Sequence, residues 1–340
     1  MSRFAVHVGS RTLSGKLAMI AVPLLVAQAT MARAQEEAPP PETADAVDAG
    51  DTPSHYYPPS VDGPALRLPE SPRRFYLDFA YAMSDDLTAL PYIAGKGRNY
   101  RLAAGIVWRW GRFAVDAQLP FHLTTLDVTS VLNQAPLPED AHQTKPSVGD
   151  LSLGAVWTER LVGEALIAGL GARGRLATHS TLFSFHLNDG SVADFVIPYY
   201  FHIEPTVVVG GAVGRFTYVM NQGPIILLGP DADFDTEHIV VPSIYLWESH
   251  YAVGWAPWSF LGASCELATA IQLNHIAGTD FQKFNDIRAV WVAPALQAHV
   301  AEYRIDAIAR IGLSRGQELY GVLEYVGTHS FTFRVTRHWD

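Results

Sequence analysis

The sequence has one cysteine, Cys265, in 340 residues. That excludes a disulfide framework, and equally a thiolate-held zinc or iron–sulfur site, because each needs several sulfurs converging on one point. Positive charge is scarce too: 24 Lys and Arg stand against 34 Asp and Glu, a formal net charge of -10. Such a balance offers no concentrated basic surface for phosphates and argues against a nucleic-acid partner. Charged residues make up only 17% of the chain while 49% is hydrophobic, which excludes a chain disordered throughout. Past the first 34 residues no stretch approaches 18 uninterrupted apolar residues or shows a helical period, so apolar membrane helices are excluded as well.

Three zones remain. Residues 1–34 carry Arg3, Arg11 and Lys16, then the apolar run Leu17 to Ala29, then Ala32-Arg33-Ala34, the pattern of a cleaved secretory signal peptide. The apolar run is too short to cross roughly 30 Å of hydrocarbon as a helix. Residues 35–72 hold nine prolines and eight acidic residues against the single Arg67. A segment of that composition cannot bury enough apolar surface to offset its chain entropy and reads as a disordered, polyproline-like linker. No lipobox cysteine follows the cleavage pattern, so no lipid anchor is expected.

From Arg73 to Asp340 the dominant signal has period two. Tyr303, Ile305, Ala307, Ala309, Ile311 and Leu313 alternate with Arg304, Asp306 and Arg310. The same pattern runs through Tyr100 to Trp110 and through Phe113 to Phe121, with Arg101, Arg109, Arg112, Asp116 and His122 on the polar side. These are strands with one apolar and one polar face. Since no helix is available to span a bilayer, a membrane-spanning chain of this pattern must be a barrel.

Alternation alone also suits a soluble sandwich. Against that, the clear stretches run about 10 to 14 residues, long enough for a tilted membrane strand and longer than the usual soluble one. Short links at Trp110–Arg112, Glu159–Gly163, Gly210–Gly214, Trp255–Trp258 and Val300–Glu302 alternate with long polar ones. The long ones are expected near Ser84–Arg98, Thr125–Ser147, His179–Phe195, Asn221–Glu237, Asn274–Asn285 and Ser314–Thr328. Tight periplasmic turns and long outer loops have this asymmetry, and six long loops imply about twelve strands, within a range of ten to fourteen. Trp108, Trp110, Trp157, Trp255, Trp258 and Trp339 all fall beside a short link or the chain end, as indole rings anchoring at one membrane interface would. Trp247 and Trp291 do not. The fold expected is therefore all-β, a transmembrane antiparallel up-and-down barrel over residues 73–340.

With these features the chain resembles the outer-membrane β-barrels of Gram-negative bacteria. Phe331, Phe333, Val335 and Trp339 alternate to the end, similar to the C-terminal strand that the barrel-assembly machinery reads in that class. Arg337 breaks the apolar face and Asp340 follows the last aromatic residue, two departures from the pattern. Val148-Gly149-Asp150-Leu151-Ser152-Leu153-Gly154-Ala155-Val156-Trp157 resembles the Gly-Asp-x-x-Leu-Gly strand of transporter-like barrels labelled after the meta-pathway of phenol degradation. The resemblance covers about ten residues and implies small solutes, without naming one. It also implies an outer-membrane location, with the membrane's lipids and the assembly machinery as partners.

Gly169 to Gly174 has the spacing of a dinucleotide loop, but Arg175 to Thr178 continues a strand, so no helix N-terminus meets a pyrophosphate and no cofactor is expected. Asp231, Asp233, Asp235 and Glu237 begin like a calcium loop, yet Thr236 replaces its turn glycine and Pro242 its bidentate glutamate. No resident metal is expected there. His179-Ser180 and His329-Ser330 place nucleophile and base on opposite faces of a strand, so no catalytic pair is expected from either. The alternation turns Asp78, Arg101, Arg109, Asp116, Asp150, Arg173, Arg175, Glu204, Glu266, Arg304, Asp306, Arg310 and Arg334 inward, because an Arg or Lys facing lipid at mid-membrane costs about 2–4 kcal/mol. Inside, they pair across strands as filling or line an aqueous path. The expected function is passage of small solutes without covalent chemistry. A plugged structural or interaction barrel and an outer-membrane lipid hydrolase are the alternatives left open.

Overall fold

The computed structural model describes residues 73–84, 93–131, 141–176, 181–186, 192–197, 201–228, 231–234, 237–240, 243–274, 288–313 and 329–339. The expected signal peptide and linker lie outside them. Among the described residues seventeen strands form: β1 (Arg73–Ser84), β2 (Ile93–Trp110), β3 (Phe113–Val131), β4 (His142–Val148), β5 (Leu151–Val162), β6 (Leu166–Leu176), β7 (Thr181–His186), β8 (Val192–Ile197), β9 (Phe201–Val213), β10 (Phe216–Leu228), β11 (Asp231–Phe234), β12 (Glu237–Val240), β13 (Ile244–Trp258), β14 (Leu261–Gln272), β15 (Arg288–Val300), β16 (Tyr303–Gly312) and β17 (His329–Trp339).

Twelve of them close a ring in the order β1, β2, β3, β5, β6, β9, β10, β13, β14, β15, β16, β17 and back to β1. Every pairing is antiparallel, and the last strand seals against the first from Arg73↔Trp339 to Met83↔His329. Closure leaves the twelve-stranded ring no open edge, the condition for crossing hydrocarbon with strands. β7–β8 and β11–β12 are separate hairpins on long connections.

β4 and β5 are one strand with an interruption. Phe113 to Gln118 of β3 pairs with β5, and Phe121 to Asp127 pairs with β4. Between them the Gly149 N–H donates to the Pro120 carbonyl at 2.7 Å. A Cβ on Gly149 would stand 2.5 Å from the His122 ring, so the backbone passes only as glycine. Proline interrupts two further ladders. Pro205 and Pro224 fall in the gap between Gln222↔Val207 and Ile226↔Ile203, and Pro294 in the gap between Val292↔Ile311 and Ala295↔Ile308. Proline carries no N–H to continue the ladder.

The expected turns and loops need correction. β9 runs on through Gly210–Val213, and the turn itself is Gly214-Arg215; Trp255 to Trp258 likewise ends β13 rather than linking it. On the other side, strand occupies 93–98, 125–131, 142–147, 181–186, 192–195, 221–228 and 231–234, all expected as loop. In these extensions buried apolar residues such as Leu126, Val128, Ile225 and Leu227 face inward, so apolar and polar side chains no longer sort to the outer and inner faces, and the backbone ladder persists after hydrophobic alternation has stopped reporting it. The short turns use Gly111, Gly163 and Gly214 in the left-handed region, at φ 55, 49 and 59°, with Ala301 at 53° in the β15–β16 turn.

Apolar side chains cover the outside. Phe75, Leu77, Phe79, Leu102, Ile106, Phe121, Leu153, Leu170, Val207, Val253, Leu267, Leu296 and Phe333 are all exposed, which is unfavourable in water and favourable in lipid. Trp110, Trp157, Trp255 and Trp258 are exposed on this outer face at the short-turn rim. Trp108 lies beside them, its ring 6.1 Å from that of Trp110. Trp339 pairs in register with Arg73 at the same rim, and its side chain lies outside the described residues. Tyr81 and Tyr100 pair at 4.9 Å toward the other rim. From Tyr100 to Trp110 a tilted strand rises about 25 Å, the height of an outer-membrane apolar band.

Candidate functional site in the barrel interior

The inward face is largely buried and mixes small apolar side chains, such as Ala268, Ala270, Ala289, Ala293 and Val219, with three knots of charge. In the first, Asp78 accepts two hydrogen bonds from Arg334, Nε to Oδ1 at 2.5 Å and Nη2 to Oδ2 at 3.0 Å. Arg101 approaches the same carboxylate at 3.6 Å. Register explains the meeting, since Asp78 faces Arg334 across β1–β17 and Arg334 faces Asp306 across β17–β16. Asp306 accepts from Arg304 Nε at 2.8 Å. The Arg334 guanidinium also lies 5.6 Å from the Tyr76 ring centroid. Asp78 is 0% exposed and Arg334 2%, so the fork of two bonds is shielded from water, where charge-assisted pairs are strongest.

The second knot is on β3, β5, β6 and β9. Glu204 meets Arg175 Nε at 3.1 Å, Arg173 Nη1 at 3.8 Å and His202 Nδ1 at 3.7 Å. Asp116, Gly154, Arg173 and Glu204 are successive partners across four strands. A Cβ on Gly154 would stand 2.2 Å from Asp116 Oδ1; this glycine makes room for the carboxylate. The Gly-Asp-x-x-Leu-Gly pattern therefore has physical content here: its first glycine passes the strand break and its last admits Asp116.

The sequence turned Glu266 and Arg310 of the third knot inward but did not reveal Glu248 or His250. His250 on β13 has Nε2 3.1 Å from Glu248 Oε2 and Nδ1 2.5 Å from Glu266 Oε1. Its ring meets Trp291 edge-on at 6.0 Å, and the Arg310 guanidinium lies 4.4 Å above the Trp291 ring. Trp291, buried, is one of the two tryptophans that lie away from the short-turn rim. Glu248 and His250 escaped notice because Trp247, Ser249 and Tyr251 between them do not form a clean apolar face. Arg74, Tyr76, His202 and Gln297 are further buried inward-facing polar residues that were missed.

Of the thirteen expected inward charges, Asp78, Arg101, Asp116, Arg173, Glu204, Glu266, Arg304, Asp306, Arg310 and Arg334 are buried. Arg175 joins them through Glu204. Arg109 sits at the short-turn rim, its Nε donating to the Gly111 carbonyl at 2.7 Å. Asp150 is half-buried at the strand break. The signs are unevenly spread: β16, β17, β1 and β2 present Arg74, Arg101, Arg109, Arg304, Arg310 and Arg334 with Asp78 and Asp306, whereas β13 and β14 present Glu248 and Glu266 around His250. Gly169 to Gly174 lies within β6, a strand. His329 is exposed and accepts from the Gly312 N–H at 3.3 Å, while Ser330 shares the inward face of buried Thr332. His179-Ser180 and the side chains of the Asp231–Glu237 ladder lie outside the described residues.

A closed barrel with a lipid-suited exterior, an aromatic rim and a charged interior defines the outer-membrane β-barrel class by its fold. No family model matches the sequence, and no curated protein matches it. Solved structures do. The translocator domain of the autotransporter NalP from Neisseria meningitidis aligns with TM-score 0.52 and 11% identity over 78% of this chain and 88% of its own. The COG4313 outer membrane channel from Pseudomonas putida F1 aligns with TM-score 0.50 and 14% identity over 86% and 99%. At these identities the likeness is one of fold.

Proposed function

We propose that this protein is an outer-membrane channel or transporter for small solutes, exported to the outer membrane of a Gram-negative bacterium by a cleaved signal peptide. The carrying observation is the interior: buried charges of both signs on the inner wall of a closed twelve-stranded barrel. A ring of this size lies between eight-stranded barrels filled by side chains and porins of sixteen or more strands with an aqueous channel. The solved outer membrane channel of similar fold and the Gly149–Gly154 resemblance support the same reading. Sugars, aromatic acids and other small solutes are the class to test.

The depth of burial favours a second reading, a plugged barrel with a structural or interaction role, because Asp78 and Arg334 are out of contact with water. Folding the mature chain into liposomes and recording ion conductance, with swelling in small sugars and aromatic acids, separates the two. Steady conductance supports the channel and makes Arg101, Arg173 and Arg310 the residues for charge reversal. A folded, inserted but silent protein supports the plugged barrel. Lipid hydrolysis abolished by replacing one Ser or His would overturn both in favour of an enzyme.

A further inference from the structure

At the short-turn rim, Arg112, Arg160 and Arg337 each meet a glutamate: Glu159 at 2.5 Å, Glu164 at 2.9 Å and Glu302 at 3.7 Å. At the long-loop rim, Lys96 and Arg98 are both exposed on the outward face of β2, and no described carboxylate pairs with either. Asp127 stands directly across from Lys96 in register, yet it pairs with His142 instead. Two cations two residues apart on one strand face are separated by about 7 Å of backbone, within one Debye length at physiological salt. They repel, and an anion between them would relieve the repulsion.

Their height identifies the anion. The next outward residue down β2 is Tyr100, paired with Tyr81, and tyrosine marks the headgroup level of a bilayer. Below it come exposed Leu102 and, in register on β3, exposed Leu123 and Phe121. A charged pair thus stands immediately above an apolar wall, a surface that matches a molecule with a phosphate head and acyl chains and matches no soluble anion as well. We propose that Lys96 and Arg98 hold a phosphate group of an outer-leaflet lipid, whose acyl chains lie along Tyr100, Leu102, Phe121 and Leu123. Arg98 supplies the planar fork for phosphate oxygens and Lys96 a mobile point charge. The assignment rests on the outer-membrane reading, with the long loops facing out.

The test is native mass spectrometry of the folded mature chain in detergent, with three probes: bisphosphorylated lipid A, the same lipid with its phosphates removed, and inorganic phosphate. The wild type should retain the phosphorylated lipid at least about tenfold over the dephosphorylated one, a difference of about 1.4 kcal/mol. Lys96→Gln with Arg98→Gln should abolish that preference, Lys96→Arg with Arg98→Lys should keep it, and Arg112→Gln at the opposite rim should leave it unchanged. Unchanged heat-modifiable migration in gels shows that each variant is folded. Equal retention of both lipids by the wild type, or a preference surviving the double Gln variant, overturns the proposal. Complete displacement of the lipid by millimolar inorganic phosphate overturns the lipid assignment in favour of a free-phosphate site. Binding in detergent is independent of flux, so a silent barrel that retains the lipid sinks the channel alone, and a conducting barrel that does not sinks only the lipid site.

Discussion

At the scale of single residues, burial decides which charges matter. Asp78 holds Arg334 by two hydrogen bonds and approaches Arg101, all out of water. Asp78→Ala would leave those cations without their carboxylate, a loss of about 3–5 kcal/mol for breaking a buried pair. Arg112→Ala breaks an equally close contact with Glu159 in solvent, where a pair is worth about 0–1 kcal/mol. Urea unfolding of the two variants in detergent should separate them clearly, and equal midpoints would show that the interior charges are hydrated. Cys265 is the opposite case. It is exposed on the outward face beside exposed Leu267, so in a membrane it meets lipid. It should resist water-soluble thiol reagents in liposomes and react once the barrel is unfolded; rapid labelling of the inserted protein would contradict the lipid-facing assignment.

At the scale of the strand, one residue of register separates lipid from interior. On β5, Leu153 is exposed outward and Ser152 buried inward. Leu153→Arg places a guanidinium in the apolar band at a cost of about 2–4 kcal/mol at mid-membrane. Ser152→Arg places it beside Gln118 and Arg175, its register partners, where other polar groups already stand. Assembly yield, read from heat-modifiable migration, should fall far more for Leu153→Arg, and equal yields would mean the faces are exchanged. Gly149 and Gly154 act through close approaches to His122 and Asp116, contacts with a neighbouring strand that no local pattern displays.

At the scale of the whole molecule, stability depends on closure. β17 pairs with β1 over Arg73 to Met83 and with β16 over Tyr303 to Arg310. Its outward Phe331 and Phe333 face lipid, while its inward Arg334 joins the first charge knot. A chain truncated after Leu313 exposes two strand edges to hydrocarbon, each unpaired backbone group costing several kcal/mol. It should give no heat-modifiable species in vesicles; a folded truncated barrel would show that closure is dispensable. Arg337, which interrupts the apolar alternation of this strand, sits at the rim against Glu302 and the Tyr303 ring, where a charge reaches water and costs little.

The period-two alternation, the placement of tryptophan and the contrast of short and long links determined the class, the faces of the clearly alternating strands and a count of about twelve strands, because lipid on one side of a barrel wall demands apolar outward side chains and leaves charge only the interior. Those same rules turn Asp78, Arg101, Asp116, Arg173, Glu204, Arg304, Asp306, Arg310 and Arg334 inward, where they are buried. Only the tertiary structure decided which of them meet. Asp78 and Arg334 are 256 residues apart in sequence, and the stagger between strands sets their contact as well as the convergence of Glu248, His250, Glu266, Trp291 and Arg310. The hairpin extensions beyond the apolar band were invisible for the complementary reason: backbone hydrogen bonds still form there, but buried apolar residues such as Leu126 and Leu227 face inward, so the outward-apolar, inward-polar rule no longer holds.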